Sequence, residues 1–266
     1  MDPATQLTLV ALALGVVAFL YSSVGHGGAS GYIAVLTLAG FLPKEMRPIA
    51  LTLNILVASI GSFQFWRAGH FSWKLIWPFV VLSVPLAFLG GYEGLPIELF
   101  KRILGGVLFA SAARLFIAPI DPQEPRPPRT GFAIALGGGI GLLSGLTGTG
   151  GGIFLTPLLL ICRWAKSREA AAVSALFVLV NSIAGLSGYL YRGNTIPSFT
   201  VWFAIAAVGG GTLGSQLGST RLSPRWIHLL LATALIVAGF KLMSVSSAKA
   251  GPAQAAPPST HPSAAR

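Results

Sequence analysis

The chain has 266 residues, of which 53% are hydrophobic and only 9% charged, and its mean hydropathy is +0.75. Soluble domains carry about 25% charged residues, so this composition excludes a soluble globular protein and predicts an integral membrane protein that lies in the lipid bilayer. The net charge is +11. Because the basic residues stand singly or in small groups between apolar runs, they are typical of loop charges that orient membrane helices and do not indicate nucleic-acid binding.

The first part of the chain holds five apolar segments. Two of them, 7–21 and 31–42, flank a glycine cluster, and each is shorter than a comfortable membrane span. Three longer helices are predicted at 48–66, 75–91 and 99–117. A segment with five prolines follows at 118–129 and predicts a polar linker, because proline cannot continue a helix.

The same pattern returns after the linker. Short segments at 132–146 and 153–164 flank a second glycine cluster, and longer helices are predicted at 169–191, 199–218 and 226–243. The last 23 residues are rich in Ala, Pro and Ser, which predicts disorder. The predicted organisation is a first transmembrane repeat (7–118), a Pro-rich linker (119–130), a second transmembrane repeat (131–243) and a disordered tail (244–266).

The two halves can be aligned on their glycines and oriented by their charges. Gly25, Gly27 and Gly28 each have a glycine counterpart 123 residues further on. If each half crosses the membrane an odd number of times, the second half is inverted relative to the first, and ten basic residues lie on the linker side and seven on the other. If each half crosses an even number of times, the halves are parallel, and the basic residues divide eight to nine between the two sides. The positive-inside rule favours inversion with the linker in the cytoplasm. Lys44 and Arg163 are then on opposite sides.

The glycine clusters themselves predict a binding site. Glycine costs about 1 kcal/mol relative to alanine inside a helix, so each cluster breaks its helix at membrane depth, where free backbone groups are tolerated only around protein or a polar cavity. Successive N–H groups and a half-helix N-terminus form an anion-binding nest. Glycines that serve only close helix packing are the structural alternative. The candidate substrate-binding residues are Ser23, Gly25, His26, Gly27, Gly28, Asn54, Thr147, Gly148, Thr149, Gly150, Gly151, Gly152 and Asn181.

Three polar side chains leave alternatives open. His26 stands within the first cluster, where its counterpart is Thr149; it could bind an anion, couple transport to protons, or make a fixed hydrogen bond to the broken backbone. Asn54 and Asn181 lie within apolar helices and must face the bundle interior, because an unpartnered buried amide is costly. Each could contact substrate or cap a broken helix. A glycine stripe at 210, 214 and 218 predicts a packing face.

The segments Ser-Val-Gly-His-Gly-Gly at 23–28 and Leu-Thr-Gly-Thr-Gly-Gly-Gly at 146–152 resemble the TauE/SafE family of membrane permeases, also described as sulfite exporters. Further similarity lies in Ala-Leu-Thr-Leu-Asn-Ile-Leu-Val at 50–57 and Val-Ser-Ala-Leu-Phe-Val-Leu-Val-Asn-Ser at 173–182. Ala29 departs from the pattern, because the second motif has a third glycine there. The resemblance implies a multi-pass protein of the inner membrane that exports sulfite, a sulfonate such as sulfoacetate, or another small anion.

The sequence therefore predicts an all-α polytopic membrane protein that moves a small anion, most specifically sulfite or an organosulfonate or carboxylate, by alternating access around the paired glycine breaks. An anion channel and a cation or metal permease are the alternatives. We expect no enzyme activity, because His26 alone is too little for catalysis, and no cofactor or metal ion. The sequence leaves a homo-oligomer open.

Overall fold

The computed structural model describes residues 3–93, 124–126 and 128–223, together with the isolated residues 225, 226, 229, 233 and 236. This described part is all helical, with eight α-helices and no strand, so the predicted all-α class is confirmed. The predicted helices at 99–117 and 226–243, the linker and the tail lie wholly or largely outside the described residues. The helices are α1 (Pro3–Ser22), α2 (Ala29–Leu38), α3 (Pro43–Arg67), α4 (Trp73–Glu93), α5 (Thr130–Thr147), α6 (Gly152–Ile161), α7 (Ser167–Tyr191) and α8 (Thr200–Thr220).

Five of these helices, α1, α3, α4, α5 and α7, are long and apolar enough to cross a bilayer. The expectation that the first apolar run is too short was wrong. The helix already begins at Pro3, and its apolar part, Thr5–Ser22, has 18 residues, which lies within the range of about 17–25 residues that a crossing needs. In α5, Thr130–Thr147 has the same length. Each broken pair is therefore one full helix followed by a half-helix of 10 residues.

Rows of glycine bring two pairs of helices into backbone contact. A Cβ added at Gly210, Gly214 or Gly218 of α8 would overlap the backbone of α1 at successively later positions. The packing role predicted for this stripe is thus confirmed, and α1 and α8 run parallel. The same holds for α4 and α5, whose contacts are Gly137 with Phe79, Gly141 with Ser83, and Gly145 with Ala87. Each half therefore packs its first helix on the last described helix of the other half.

The two ends of the bundle are distinguished by contacts between connecting segments. The Arg126 N–H donates to the carbonyl of Arg163 at 3.0 Å, so the linker and the α6–α7 connection share one end, called here the linker end. At the opposite end, the distal end, the Tyr189 hydroxyl late in α7 donates to the carbonyl of Lys44 at the start of α3 (3.0 Å). Lys44 and Arg163 thus lie at opposite ends.

The helices α3 and α7, which the predicted repeat makes equivalent, run in opposite directions. The start of α3 meets the end of α7 at the distal end, whereas Phe65 late in α3 packs with Ala171 early in α7 at the linker end. Equivalent helices also agree in length, with 25 residues in α3 and α7 and 21 in α4 and α8. These directions and lengths agree with the inverted arrangement. The duplication itself, with its boundaries, stays a prediction.

The described apolar core has two large clusters and a small third one formed by Phe65, Ala171 and Ala172. One large cluster is built from α1, α2, α3 and α8 around Tyr32, Leu53 and Phe203. The other is built mainly from α4, α5, α6 and α7 around Phe79 and Phe177. Hydrogen bonds between the breaks join the two clusters near the middle of α3, and this is where the predicted site residues lie.

Candidate functional site

Both helix breaks depend on backbone angles that glycine adopts at low cost. We call residues 23–28 the first break and residues 148–151 the second break. A positive φ costs other L-residues about 1–2 kcal/mol, because Cβ crowds the carbonyl oxygen, and glycine has no Cβ. The glycines with positive φ are Gly25 (77°) and Gly28 (101°) in the first break, and Gly148 (74°), Gly150 (77°) and Gly151 (84°) in the second.

Asn54 of α3 joins the two breaks. Its side chain is fully buried. The Oδ1 atom accepts a hydrogen bond from the N–H of Ala29 (3.1 Å), at the start of α2. The Nδ2 group donates to the carbonyl of Thr149 (3.3 Å), in the second break, and to the hydroxyl of Ser182 (3.3 Å). One amide therefore satisfies backbone groups from both broken helices.

Two glycines make this close approach to Asn54 possible. A Cβ added at Gly27 would overlap Oδ1 of Asn54, and one added at Gly150 would lie 2.6 Å from Nδ2. Both added atoms would also press on Val178 of α7. The glycines at these matched positions therefore leave room for a buried amide between the breaks.

His26 makes a second link between the breaks. Its Nε2 lies 2.9 Å from the carbonyl oxygen of Gly152, at the start of α6. A carbonyl only accepts, so Nε2 carries the proton, and in the neutral ring Nδ1 then carries the lone pair. Nδ1 is buried and has no hydrogen-bond partner among the described residues. The ring thus makes the fixed backbone bond that the sequence left open, and it keeps one nitrogen unused.

A small cavity lies between the breaks. Its volume of about 10 Å³ leaves room for about one water molecule, so the structure is a closed conformation in which no sulfite-sized anion fits. The lining residues are Tyr21, His26, Gly27, Gly28, Ala29, Ser30, Thr149, Ile153 and Val178.

The N-terminal ends of both half-helices face this cavity. Ala29 is the first residue of α2 and Ile153 lies in the first turn of α6. The first N–H groups of a helix have no acceptor within the helix, and the aligned peptide dipoles add partial positive charge there. No carboxylate is among the described residues that line the cavity. In the described part of the chain, no three His, Cys, Asp or Glu side chains gather where they could hold a metal ion.

Three of the predicted polar residues make local hydrogen bonds to the helix that contains them or, for Ser23, to the helix just before it. The hydroxyl of Ser23 donates to Leu20 O (2.7 Å), that of Thr147 to Leu143 O (2.7 Å), and Nδ2 of Asn181 to Phe177 O (2.8 Å). The Thr147 hydroxyl also lies 2.8 Å from that of Thr149, so it can orient a residue that lines the cavity. Asn181 Oδ1 is buried without a described partner. Substrate contact by these residues stays a prediction.

The remaining predicted glycines shape the turns. Gly25 lies against the backbone of Ala171, Gly148 against Arg47, and Gly151 against the ring of Phe177. A side chain at any of these positions would both need an unfavourable φ and collide with its neighbour. They determine the path of the breaks.

Sequence reasoning missed three residues around the breaks. Tyr32 donates its hydroxyl to the carbonyl of Gly27 (2.6 Å) and fixes the first break, and Ser182 holds Asn54. The position of a hydroxyl residue within an apolar segment does not indicate which group its side chain will bond. Arg47 was left just outside the helix predicted at 48–66; α3 instead begins at Pro43 and places Arg47 beside the second break.

Comparison with known proteins agrees with this architecture. The family described as "Sulfite exporter TauE/SafE" matches residues 9–242. A probable membrane transporter protein of Sinorhizobium fredii is 38% identical over 244 residues, which cover 90% of this chain and 99% of that protein. A probable membrane transporter protein of Methanocaldococcus jannaschii is 24% identical, with 89% and 94% covered. No solved structure matches. This multi-pass membrane protein therefore belongs to the TauE/SafE family of membrane transporters.

Proposed function

We propose that this transporter moves a small anion, namely sulfite or an organosulfonate or carboxylate, across the inner membrane by alternating access around the two breaks. The family description names sulfite export. The observation that carries the proposal is that the N-termini of α2 and α6 face one cavity. We assign the protein no catalytic step.

The electrostatics of the cavity support an anion over a cation. Each helix N-terminus stabilises a negative charge by about 0.3–1 kcal/mol when exposed, and by up to about 2 kcal/mol when partly buried. Here two such ends act on the same space. A metal cation would meet both positive ends, with no carboxylate from the described lining residues to offset them.

His26 links the anion to a proton. The unused Nδ1 carries a lone pair in the neutral ring, and a lone pair repels a bare oxyanion. An anion that contacts Nδ1 must therefore bring its own O–H, as hydrogensulfite does, or bind together with a proton on the ring. The titratable group described as facing the ring is Tyr21, whose ring centroid lies 6.3 Å away. No described acid contributes to the cavity.

The closed cavity supports alternating access over an open channel. Hydrogen bonds from Asn54 and His26 hold the breaks together, and the space between them fits about one water molecule. Because α3 and α7 run in opposite directions, the two half-helices extend from the breaks toward opposite ends of the bundle. The half-helix α2 lies between the first break and the distal end, and α6 lies between the second break and the linker end. If the helices part at the distal end and at the linker end alternately, the cavity opens to each side of the membrane in turn.

Counterflow in proteoliposomes tests this function. Vesicles are loaded with unlabelled sulfite or sulfoacetate and diluted into the labelled anion. A carrier accumulates label transiently above the external concentration. An anion channel equilibrates the label without this overshoot, and a metal permease moves labelled Mn²⁺ and ignores the anions. The overshoot with at least one of the two anions is expected, and either of the other outcomes contradicts the proposal.

A further inference from the structure

Arg47 is a half-buried cation whose recorded acceptors are all backbone carbonyls. From the first turns of α3, its Nη2 group donates to Gly90 O (2.6 Å) and Gly91 O (2.9 Å), near the end of α4, and to Gly145 O, near the end of α5. The guanidinium carbon lies 5.5 Å from the ring centroid of Tyr189. Within the described part of the chain no carboxylate contacts it, and its buried Nε has no hydrogen-bond partner.

The aliphatic part of the Arg47 side chain packs against the second break, and its guanidinium bonds Gly145, three residues before that break. A Cβ added at Gly148 would lie 2.9 Å from Cγ of Arg47. Gly148 is followed directly by Thr149, which lines the cavity. The nearest carboxylate along α3, that of Glu45, accepts instead from the N–H of Leu42 (3.1 Å). A positive charge is therefore held beside the break without a described counter-ion.

The matching position at the other end of the molecule carries no charge. Gly25 of the first break lies against Ala171, as Gly148 lies against Arg47. The two contacts are equivalent in the two halves, and a methyl group stands where the other half has a guanidinium. The linker end has a half-buried cation of its own, Arg168 of α7, which donates to the carbonyls of Thr220 and Leu222. The atoms nearest to a Cβ at Gly25 all belong to Ala171, however, so contact between a break glycine and a cation is a feature of the second break.

We propose that Arg47 is an anion-binding latch at the distal end. In the closed structure it ties the start of α3 to the ends of α4 and α5; when the distal end opens, these contacts part and the guanidinium receives the entering or leaving anion. This assignment rests on the proposed function, because it names the residue through which the anion reaches the cavity on one side.

The chemistry of the guanidinium favours this exchange. Arginine has five N–H donors in a planar fork that fits carboxylate and sulfonate oxygens. Charge-assisted hydrogen bonds to an anion are roughly twice as strong as those to neutral acceptors. The three neutral carbonyls share the two N–H donors of Nη2 and hold Arg47 in place in the absence of an anion. An anion that pairs with the whole fork replaces these contacts favourably. The partner anion also offsets part of the cost of keeping the charge half buried.

Thiol labelling tests the latch independently of any particular substrate. Thr149→Cys is made in a Cys162→Ser background and treated from the distal side with two membrane-impermeant methanethiosulfonates, one carrying a sulfonate and one a quaternary ammonium. Fixed charge beside a narrow path raises the local concentration of the opposite charge by a factor of about 10 or more. We expect the anionic reagent to react faster, and its advantage over the cationic one to fall about tenfold in Arg47→Gln.

Arg192 supplies a matched control. It also donates to carbonyls at the end of α4, those of Tyr92 (2.8 Å) and Glu93 (2.6 Å), and lies over an aromatic ring at 5.8 Å. It is exposed, however, and no contact joins it to Gly148. Arg192→Gln should leave the reagent preference within about twofold, because exposed charges are screened. Equal losses in the two variants overturn the proposal.

Arg47→Lys separates charge from structural support. It keeps the positive charge but loses the extended guanidinium, whose Nη2 group makes all three bonds to the carbonyls, so the reagent preference should persist even if stability falls. Loss of the preference in Arg47→Lys, an unchanged preference in Arg47→Gln, or no labelling from the distal side in the parent protein each contradicts the latch. If sulfite and sulfoacetate counterflow fail while the preference follows Arg47, the proposed substrates are wrong and the latch stands.

Discussion

Because Asn54 bridges the two breaks, its replacement by leucine should lower the free energy of unfolding far more than the same replacement of Asn181. Asn54→Leu keeps the size of a fully buried side chain but leaves the N–H of Ala29 and the carbonyl of Thr149 without their recorded side-chain partner. An orphaned buried group costs about 1–3 kcal/mol, and membrane proteins fall toward the low end of this range. We therefore expect the free energy of unfolding to drop by about 2–4 kcal/mol.

Asn181→Leu is the matched control, because Asn181 is also fully buried, on the equivalent helix. Its amide donates only to Phe177, four residues earlier in its own helix, a carbonyl that the helix ladder already satisfies. The substitution also removes an Oδ1 without a described partner. The expected cost is below about 1 kcal/mol.

Thermal unfolding in detergent, followed by the fluorescence of the six tryptophans, measures both effects. For a protein of this size 1 kcal/mol shifts Tm by roughly 2–4 °C. Asn54→Leu should lower Tm by about 4–16 °C and Asn181→Leu by less than about 4 °C. Equal shifts would show that Asn54 is an ordinary buried amide and would refute its role between the breaks.

Three further predictions concern packing, the histidine and topology. Gly137→Ala in α5 should lower stability by about 1–3 kcal/mol, since its Cβ would overlap the backbone of α4. Gly139→Ala, in the same helix but with open space around it, should raise stability by up to about 1 kcal/mol; thermal unfolding compares them. His26→Gln keeps an amide donor for the carbonyl across the breaks but loses the ring lone pair, so Tm should change little while anion counterflow falls about tenfold; wild-type counterflow would contradict the proton link. Native Cys162, which is exposed, and Lys44→Cys in a Cys162→Ser background should react with a membrane-impermeant maleimide from opposite sides of the membrane; reaction from the same side would refute the inverted helix directions.

The sequence predicted the breaks because their cause is local. Glycine clusters between apolar runs interrupt a helix wherever they stand, and the positive φ angles at Gly25, Gly28 and Gly148 show why glycine is needed. The approximate helix positions followed from apolar length in the same way. The first helix was predicted too short because the polar residues before Leu7 were excluded, although helix geometry continues back to Pro3.

The partners of buried side chains could not be predicted, because they depend on which helices meet. Asn54 and Asn181 look alike in the sequence, yet one bridges two breaks and the other bonds within its own helix. Arg47 was misplaced for a related reason. The predicted helix began at residue 48 and so left Arg47 outside it, but Pro48 lies inside α3. Pro48 has no N–H to donate to the carbonyl of Lys44, four residues earlier. This carbonyl instead accepts a hydrogen bond from the Tyr189 hydroxyl of α7.

Counterflow by glycine variants tests most directly the claim that the paired breaks form the transport site. Gly27→Leu and Gly150→Leu each place a side chain onto Asn54 and Val178, whereas Gly139→Leu and Gly209→Leu add the same side chain where no atom lies within 4 Å of the added Cβ. Among variants that insert normally into the membrane, the first two should lose at least about 90% of sulfite or sulfoacetate counterflow, since the closed cavity fits only about one water molecule. The second two should retain most of it. Wild-type rates in Gly27→Leu and Gly150→Leu would contradict the account.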